Sequence, residues 1–271
     1  MSMNEHDGER RSVERADAPR TRTSLAADLR ALGLAPGMTI MVQSSLSALG
    51  WVAGGPVAVI LALQDVLTEQ GTLVMPAFSG DLTEPSYWQH PPVPEAWWPV
   101  IRAETPAYDP RLTPTRGIGR IPELFRTFPD VLRSSHPTGS VCAWGRHARF
   151  VTEGHPLEDE SGEASPLARL YDLDAHVLLL GTERNSSLHL AEHRAGIRGP
   201  QLQGAPILEN GVHVWKIYSS IAYDDGDFPP IKAAFDETGR VTFGQVGSAT
   251  CRLMRQREVV DFAAAWLRER E

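Results

Sequence analysis

The chain has few cysteines and no long hydrophobic run, and these absences exclude several classes of protein. Its two cysteines, Cys142 and Cys251, lie far apart and form no C-x-x-C spacing. The sequence therefore predicts neither a disulfide framework nor a thiolate zinc site. No run of 18 apolar residues is present, and residues 1–20 lack the apolar stretch of a secretory signal. We expect a cytoplasmic protein that does not associate with a membrane.

Positive charge is also scarce, which bears on the partners of the chain. The sequence has 26 Lys and Arg residues against 34 Asp and Glu residues, a formal net charge of -8. Without a surplus of cations to neutralise phosphates, nucleic acid is not an expected partner. A net acidic surface instead favours polycationic small molecules, because opposite charge steers them towards the protein.

The beginning of the chain differs in composition from the rest. Residues 1–20 carry many charges of both signs and almost no large apolar side chain, so they cannot offset the entropy lost on ordering. With 42% hydrophobic residues overall, the remainder is long enough to bury a sizeable core. We predict a flexible tail at residues 1–20, followed by a single domain at residues 21–271.

Short apolar runs that alternate with helical patterns indicate the class of fold. Residues 39–42, 71–78 and 176–181 have the length and composition of buried strands, and residues 56–68 have a helical pattern that begins with proline. Strand, helix and strand joined by tight loops are typical of parallel sheets covered on both faces. The sequence therefore predicts an α/β fold with a central, mostly parallel sheet covered by helices.

Two segments depart from this rhythm. Residues 79–116 are rich in proline and tryptophan and have no regular period, which predicts a long surface flap that its tryptophans keep ordered. Residues 206–218 place Asn210-Gly211 between two apolar arms. Asn-Gly in that setting predicts a smaller antiparallel hairpin.

The segment NSSLHLAEH, residues 185–193, contains the side chains best suited to chemistry. It directly follows the apolar strand at residues 176–181, and ligand crevices form at the carboxyl ends of parallel strands. His189 and Glu192 are three positions apart on one helix face, where the carboxylate can stabilise a protonated imidazole. This spacing favours His189 as a general base supported by Glu192. A surface His-Glu pair without a catalytic role is the alternative.

The same segment also matches a zinc-peptidase pattern. His189, Glu192 and His193 spell H-x-x-E-H, which would supply two zinc ligands and a general base, with a third ligand elsewhere. The predicted helix begins at this site instead of running through it. Zinc chemistry is therefore an alternative to the general-base hypothesis.

Turns rich in serine and glycine are candidate anion sites. SSLS at residues 44–47 and RSSHP at residues 133–137 offer backbone N–H groups, hydroxyls and, through Arg133, a cation. Ordinary cap and turn chemistry is the alternative for both. RGIGRIP at residues 116–122 has only two glycines of a dinucleotide fingerprint and follows no strand, so no dinucleotide site is predicted there.

Acidic residues cluster in two places. Asp224, Asp225 and Asp227 lie in the sequence YDDGDF after the hairpin, and the flap contains Asp81, Glu84 and Asp109. Together they could line a pocket for a ligand with several ammonium groups. A solvated turn is the alternative for each cluster.

Ordered blocks spread over most of the chain resemble one enzyme family. The blocks are SSLSALGWVAGG at 44–55, GTLVMPAFSG at 71–80, YDP at 108–110, TPTRGIGRIPELFR at 113–126, RSSHPTGS at 133–140, ASPL at 164–167 and VLLLGTERNSSLHLAE at 177–192. With them, the chain from Thr23 to Trp266 resembles the aminoglycoside 3-N-acetyltransferases, which are unrelated in fold to the common GNAT acyltransferases. Gln43 departs from the family pattern, which usually has His before the paired serines.

The resemblance implies an acetyl-CoA-dependent enzyme that confers antibiotic resistance. It implies transfer of the acetyl group to the 3-amino group of a 2-deoxystreptamine aminoglycoside within a ternary complex, without a metal. His189 would be the general base and Glu192 its support. The resemblance implies that the antibiotic contacts Asp81, Glu84, Asp225 and Asp227. It implies that coenzyme A contacts Ser44, Ser45, Leu46, Ser47, Arg133, Ser134 and His136.

Two other functions remain open at this point. One is a zinc-dependent hydrolase that uses the H-x-x-E-H pattern, and the other is a non-catalytic protein that binds cationic ligands through its acidic patch. The sequence also leaves the oligomeric state open between a monomer and a homodimer.

Overall fold

A seven-stranded sheet forms the centre of the structure, a computed structural model that describes residues 9–10, 12–14 and 16–270. In chain order the strands are β1 (Thr39–Ser44), β2 (Thr72–Pro76), β3 (Leu132–Arg133), β4 (Val141–Gly145), β5 (His176–Leu180), β6 (Pro200–Glu209), β7 (Val212–Ile221), β8 (Thr242–Val246) and β9 (Ala249–Arg255). The central sheet has the order β3-β4-β2-β1-β5-β9-β8, and β6 and β7 form a separate two-stranded sheet.

Parallel pairing is confined to the three middle strands of the central sheet. β1 pairs in parallel with β2 on one side and with β5 on the other. The flanking strands β4, β3, β9 and β8 pair antiparallel. The turn from β8 to β9 is short, so it leaves no room for the crossover helix that a parallel pair needs. The predicted α/β class is confirmed, but the sheet is less parallel than the sequence predicts.

Helices connect and cover the strands. They are α1 (Arg22–Leu32), α2 (Gly55–Leu67), α3 (Trp98–Glu104), α4 (Arg120–Phe125), α5 (Ala148–Thr152), α6 (Pro166–Asp172), α7 (Leu188–Ala195), α8 (Phe228–Asp236) and α9 (Gln256–Arg268). α1 begins with a capping box between Thr21 and Ser24 and ends at Gly33, whose φ of 114° suits a glycine cap. The sequence patterns predict helices that correspond to α1, α2, α4, α5, α7 and α9, but they do not predict α3, α6 and α8.

In the middle strands of the central sheet, alternate residues enter opposite cores. In β1, Ile40 and Val42 pack with the apolar faces of α1, α2 and α4, whereas Met41 packs on the other face with α5 to α9. Each fully buried aliphatic side chain contributes roughly 1.5–3 kcal/mol. A shift of one residue in β1 would exchange the two faces, so burial on both sides fixes the strand and the loop that follows it.

The flap, residues 79–116, lies against the β6–β7 hairpin. The Tyr108 N–H donates to the Pro206 carbonyl of β6 at 2.9 Å. The hairpin turns at Asn210 and Gly211, with φ of 52° and 79°, the conformation that Asn-Gly favours in two-residue hairpins. Both the predicted hairpin and the predicted ordered flap are confirmed.

The predicted flexible tail, residues 1–20, lies partly outside the described residues. The described positions between 9 and 14 are helical. Trp51 Nε1 donates to Glu9 Oε1 at 3.3 Å, and the Arg20 N–H donates to the Trp51 carbonyl at 2.8 Å. The described part of this segment therefore contacts the loop that follows β1.

The two cysteines belong to the apolar core. Cys142 and Cys251 are both free and buried. Burial raises the pKa of Cys142 to about 12, so its thiol stays protonated at neutral pH. The described part of the chain contains no helix of the length and apolarity needed to cross a membrane.

Candidate active site

A cavity of about 1170 Å³ opens at the carboxyl ends of β1 and β5. These parallel neighbours end together, with Ser44 paired to Leu180. β2 and β5 flank β1 on opposite sides, an arrangement that leaves a crevice above the sheet where the following loops diverge. The cavity is lined by the serine loop, residues 44–47, by residues 182–186 and by His189.

His189 lies on the first turn of α7, with its ring on the cavity wall. Its Nδ1 atom is 2.7 Å from Glu192 Oε2, as the three-residue spacing predicts. The rings of Tyr223 and Phe228 pack beside the imidazole at centroid distances of 5.0 and 4.9 Å. A carboxylate only accepts hydrogen bonds, so Nδ1 carries a proton and Nε2 of the neutral ring keeps its lone pair. Within the described residues, Nε2 has no hydrogen-bond partner.

Glu192 is a fully buried carboxylate surrounded by donors. Its Oε2 faces His189, while its Oε1 accepts hydrogen bonds from Arg198 Nε and from the Asp224 N–H, each at 2.9 Å. A buried charge is unfavourable unless it is paired and hydrogen-bonded, and these three donors meet that requirement. Glu192 is therefore held rigidly and fixes both the tautomer and the orientation of His189.

The acidic turn, residues 224–227, contains two residues that are predicted to contact the antibiotic, and they lie in different surroundings. Asp225 is exposed and lines the cavity. Asp227 instead binds Arg198, with its Oδ2 atom 2.7 Å from an Nη atom of the guanidinium. Of the four carboxylates that the family resemblance assigns to the antibiotic, Asp225 is the one on the cavity wall.

The two predicted acidic residues of the flap are paired with arginines. Asp81 forms an ion pair with the exposed Arg116, and the buried Glu84 lies 2.5 Å from Arg102. Burial disfavours the charge on Glu84, yet hydrogen bonds from Arg102 outweigh this effect and lower the pKa of the carboxyl. Neither residue lines the cavity that Asp225 lines.

All four residues of the serine loop line the cavity, namely Ser44, Ser45, Leu46 and Ser47. The Ser45 N–H donates to the Leu180 carbonyl at 3.0 Å, which ties the loop to the end of β5. Ser44 Oγ is buried and has no hydrogen-bond partner among the described residues. An unsatisfied buried hydroxyl is rare in proteins and indicates a ligand or a water at this point.

Gln43, the position that departs from the family pattern, also lies on the cavity wall. Its Nε2 atom donates to Ser186 Oγ, so the end of β1 is joined to the segment that leads into α7. Both side chains are buried. An amide at this position therefore forms a contact between the two loops that line the cavity.

The second predicted cofactor segment, RSSHP, lies elsewhere. Arg133 donates to the carbonyl oxygens of Ala77 and Thr113 at 2.7 and 2.5 Å, which joins β2 to the flap. Ser134 and His136 are fully buried, with hydrogen bonds to neighbouring loops. None of the three predicted contacts lines the cavity, so the structure does not bring this segment and the serine loop together there.

The H-x-x-E-H pattern does not form a metal-ligand set. His193 Nε2 lies 3.5 Å from Asp159 Oδ1, whereas His189 is bound to Glu192. In the described ranges of the chain, no three His, Cys, Asp or Glu side chains are grouped so that they could hold a metal ion. The geometry therefore gives no support to the zinc alternative.

Several cavity residues escaped the sequence analysis. Gly117, Gly119 and Arg120 line the cavity from the RGIGRIP segment, and Lys232 lines it from α8. Both glycines have positive φ, 75° and 89°, and a Cβ atom on Gly119 would lie 3.7 Å from the Ser44 carbonyl oxygen. Two glycines followed by an arginine are themselves typical of an anion-binding loop. The dinucleotide fingerprint is a narrower pattern, and its absence does not exclude such a loop.

The sequence is similar to members of one enzyme family. The sequence model of the aminoglycoside 3-N-acetyltransferase family matches residues 41–268. The SPbeta prophage-derived aminoglycoside N(3')-acetyltransferase-like protein YokD from Bacillus subtilis is 49% identical over 257 residues, which cover 94% of each chain. Aminoglycoside N(3)-acetyltransferase VII from Streptomyces paromomycinus is 41% identical over 276 residues, which cover 95% of each chain.

Solved structures share the fold over nearly the whole chain. The crystal structure of YokD superimposes with a TM-score of 0.93 and 48% identity, covering 95% of this chain and 97% of that chain. AAC-IIIb in a binary complex with CoASH superimposes with a TM-score of 0.84 and 33% identity, covering 93% and 98% of the two chains. Sequence and structure comparisons thus agree on the same group of proteins.

Proposed function

Because the chain belongs to the aminoglycoside 3-N-acetyltransferase family, we propose that it acetylates the 3-amino group of 2-deoxystreptamine aminoglycosides with acetyl-CoA and so confers resistance. The observation that carries this proposal is the His189–Glu192 pair on the wall of a cavity of about 1170 Å³. The name of the Streptomyces relative and the CoASH complex of AAC-IIIb support the choice of substrates.

His189 acts as the general base in the proposed reaction. Its Nε2 atom accepts a proton from the attacking amine as the N–C bond forms, and the buried Glu192 stabilises the imidazolium through Nδ1. The C–S bond then breaks with its electron pair on sulfur, and the imidazolium can return the proton to the thiolate. Direct transfer within a ternary complex needs no nucleophile from the protein, only correct placement of both substrates.

Acetyl-CoA is proposed to occupy the part of the cavity beside the serine loop. Ser44 Oγ offers an unused hydrogen-bonding group there. Arg120 lines the cavity and has no ion pair in the described part of the chain, which makes it available to a phosphate. We therefore assign the cofactor to the serine loop and Arg120, and assign Arg133 the separate role of holding the flap.

Asp225 is proposed to bind an ammonium group of the antibiotic. It lines the same cavity as His189 and is exposed, whereas Asp227 is already bound to Arg198. An aminoglycoside carries several positive charges, so the formal net charge of -8 also favours its approach. We propose that the acceptor enters the cavity beside Asp225, with one of its amines directed towards His189 Nε2.

The test is a thiol-release assay with acetyl-CoA and gentamicin, neomycin, kanamycin or apramycin. We expect turnover with at least one antibiotic, and mass spectrometry of the product is expected to show one added acetyl group. Two-dimensional NMR of the purified product then locates that group, which we expect on the 3-amino nitrogen.

Acetyl-CoA without acceptor measures background hydrolysis in the same assay. Acetyl-CoA binding without turnover on any of the four antibiotics would reject the antibiotic as the acceptor. Acetylation at another amino group would retain the reaction and reject the proposed placement of the acceptor.

A further inference from the structure

Arg198 lies between the general base and the acidic turn. Its Nε atom donates to Glu192 Oε1 at 2.9 Å, and an Nη atom donates to Asp227 Oδ2 at 2.7 Å and to the Asp224 carbonyl at 3.2 Å. The Arg198 side chain is only 17% exposed. Burial disfavours its charge, but the hydrogen bonds to Asp227 and Glu192 outweigh this effect and raise the pKa of the guanidinium.

Glu192 also reaches the acidic turn without the help of Arg198. Its Oε1 atom accepts the Asp224 N–H at 2.9 Å, and Asp224 Oδ1 in turn accepts the Gly226 N–H at 2.9 Å. The turn is therefore fixed at its start by Glu192 and at its end by the contact between Asp227 and Arg198. Asp225, which lines the cavity, lies between these two fixed points.

We propose that Arg198 is a positioning residue that links Glu192, which orients His189, to the turn that carries Asp225. Through this link, the position of the acceptor and the orientation of the general base depend on each other. This inference rests on the proposed function, in which Asp225 binds an ammonium group and His189 accepts the proton. Without the guanidinium, Glu192 loses a charged partner and Asp227 is released. The orientation of His189 and the position of Asp225 are therefore both expected to change. A displacement of about 1 Å at a reacting centre can cost about 10²-fold in rate.

The geometry requires arginine at this position. Glu192 and Asp227 are bound by different nitrogen atoms of the same planar group. A lysine ammonium is a single point charge and does not reproduce this fork. Arg198→Lys is therefore expected to keep the charge but lose the connection between the two carboxylates.

The test is Arg198→Met, with Arg194→Met as its matched control. Arg194 has a similar exposure of 21% but pairs with Glu163 and makes no ion pair with Glu192. We expect Arg198→Met to lower kcat and raise the acceptor KM, each by about tenfold or more, while the Kd of acetyl-CoA changes by less than about twofold. Arg194→Met is expected to leave all three within about twofold.

Two further variants separate positioning from simple loss of structure. Asp227→Asn is expected to raise the acceptor KM with a smaller effect on kcat, because Glu192 still holds His189. The double variant with Arg198→Met is expected to be no worse than Arg198→Met alone, because Arg198→Met already breaks the contact that Asp227→Asn weakens. Arg198→Lys is expected to recover only part of the loss.

The outcomes distinguish this inference from the proposed function. Absence of turnover by the unmodified protein on every aminoglycoside would reject the proposed function. Normal turnover together with an unchanged kcat and acceptor KM in Arg198→Met would reject only the coupling. The coupling would also be rejected if the effects of Arg198→Met and Asp227→Asn on kcat and acceptor KM were strictly additive in the double variant. Activity of Arg198→Lys equal to that of the unmodified protein would reject it as well. Calorimetry of aminoglycoside binding gives the acceptor affinity of each variant independently of turnover.

Discussion

Two groups of histidines in this molecule show how burial and hydrogen bonding decide what a histidine can do. At the cavity, His189 uses Nδ1 to bind Glu192, and its Nε2 atom has no partner in the described part of the chain. In the second group, His155 uses both ring nitrogens, with Nδ1 3.0 Å from Ser134 Oγ and Nε2 2.9 Å from the Glu160 carbonyl. A proton can be exchanged with a ligand only at a nitrogen that the protein leaves unused.

The two groups of histidines also differ in burial. His155 is 4% exposed and lies beside His136, with 4.8 Å between the ring centroids. Burial and the neighbouring His136 lower the pKa of His155 to about 3, so this ring is neutral at physiological pH. The buried pair therefore holds loops together, whereas His189 lies at an open wall beside a carboxylate.

The largest expected effect is on turnover, from His189→Ala. Because the variant removes the only base in the proposed mechanism, kcat should fall by about 10²- to 10⁴-fold, with little change in acetyl-CoA binding. His193→Ala is the matched control, since His193 is on the same helix but contacts Asp159 instead of the cavity. A comparable loss of kcat in His193→Ala would remove the distinction between the two positions and would revive the H-x-x-E-H hypothesis.

The second expected effect is on stability, from His155→Ala. The substitution leaves Ser134 Oγ and the Glu160 carbonyl without their partner and opens a small cavity, so the free energy of unfolding should fall by about 2–4 kcal/mol. Urea unfolding measures this loss, and kcat per folded molecule should stay within about twofold. The exposed His213 provides the control, and His213→Ala should change stability much less.

The third expected effect is a pH dependence of stability that originates at His155. Its pKa is about 3 in the folded protein and near 6.5 when unperturbed, so between these values the unfolded chain binds more protons. Its contribution is complete above pH 6.5 and is lost as the pH falls towards 3. Between pH 7 and pH 5, the stability difference between the protein and His155→Gln should narrow by about 2 kcal/mol.

Urea unfolding of both proteins at the two pH values tests this expectation. Carboxylates that titrate in the same range affect both proteins alike and cancel in the comparison. A difference that stays constant over this range would show that His155 is protonated at the same pH in the folded and unfolded chains.

The contrast between the histidine groups also explains which parts of the structure were predictable. Local patterns predicted the middle strands, the Asn210-Gly211 hairpin and the contact between His189 and Glu192, because each depends on residues close in sequence. The antiparallel flanks of the sheet depend on pairing between distant segments, such as β5 with β9. No local pattern specifies such a pairing, so the sheet was predicted to be more parallel than it is.

The same limit applies to the candidate site. The serine loop and RSSHP are both short turns rich in serine, yet only the serine loop lines the cavity. Arg133 instead bonds to Ala77 and Thr113, which are 56 and 20 positions away. Its role as a crosslink between β2 and the flap depends on tertiary folding, and a motif of five residues contains no information about it.

A smaller effect is expected from the carboxylate that lines the cavity than from either histidine. Asp225→Asn removes the charge that faces the cavity, so the acceptor KM should rise by about tenfold while the acetyl-CoA KM stays unchanged. Asp81→Asn is the control, because its carboxylate is paired with Arg116 and does not line the cavity. If an exposed charge at Asp225 attracts the antibiotic, added salt should raise the acceptor KM of the unmodified protein more than that of Asp225→Asn. An equal salt response, or an equal rise in KM for Asp81→Asn, would mean that the acceptor is recognised by the field of the whole acidic surface.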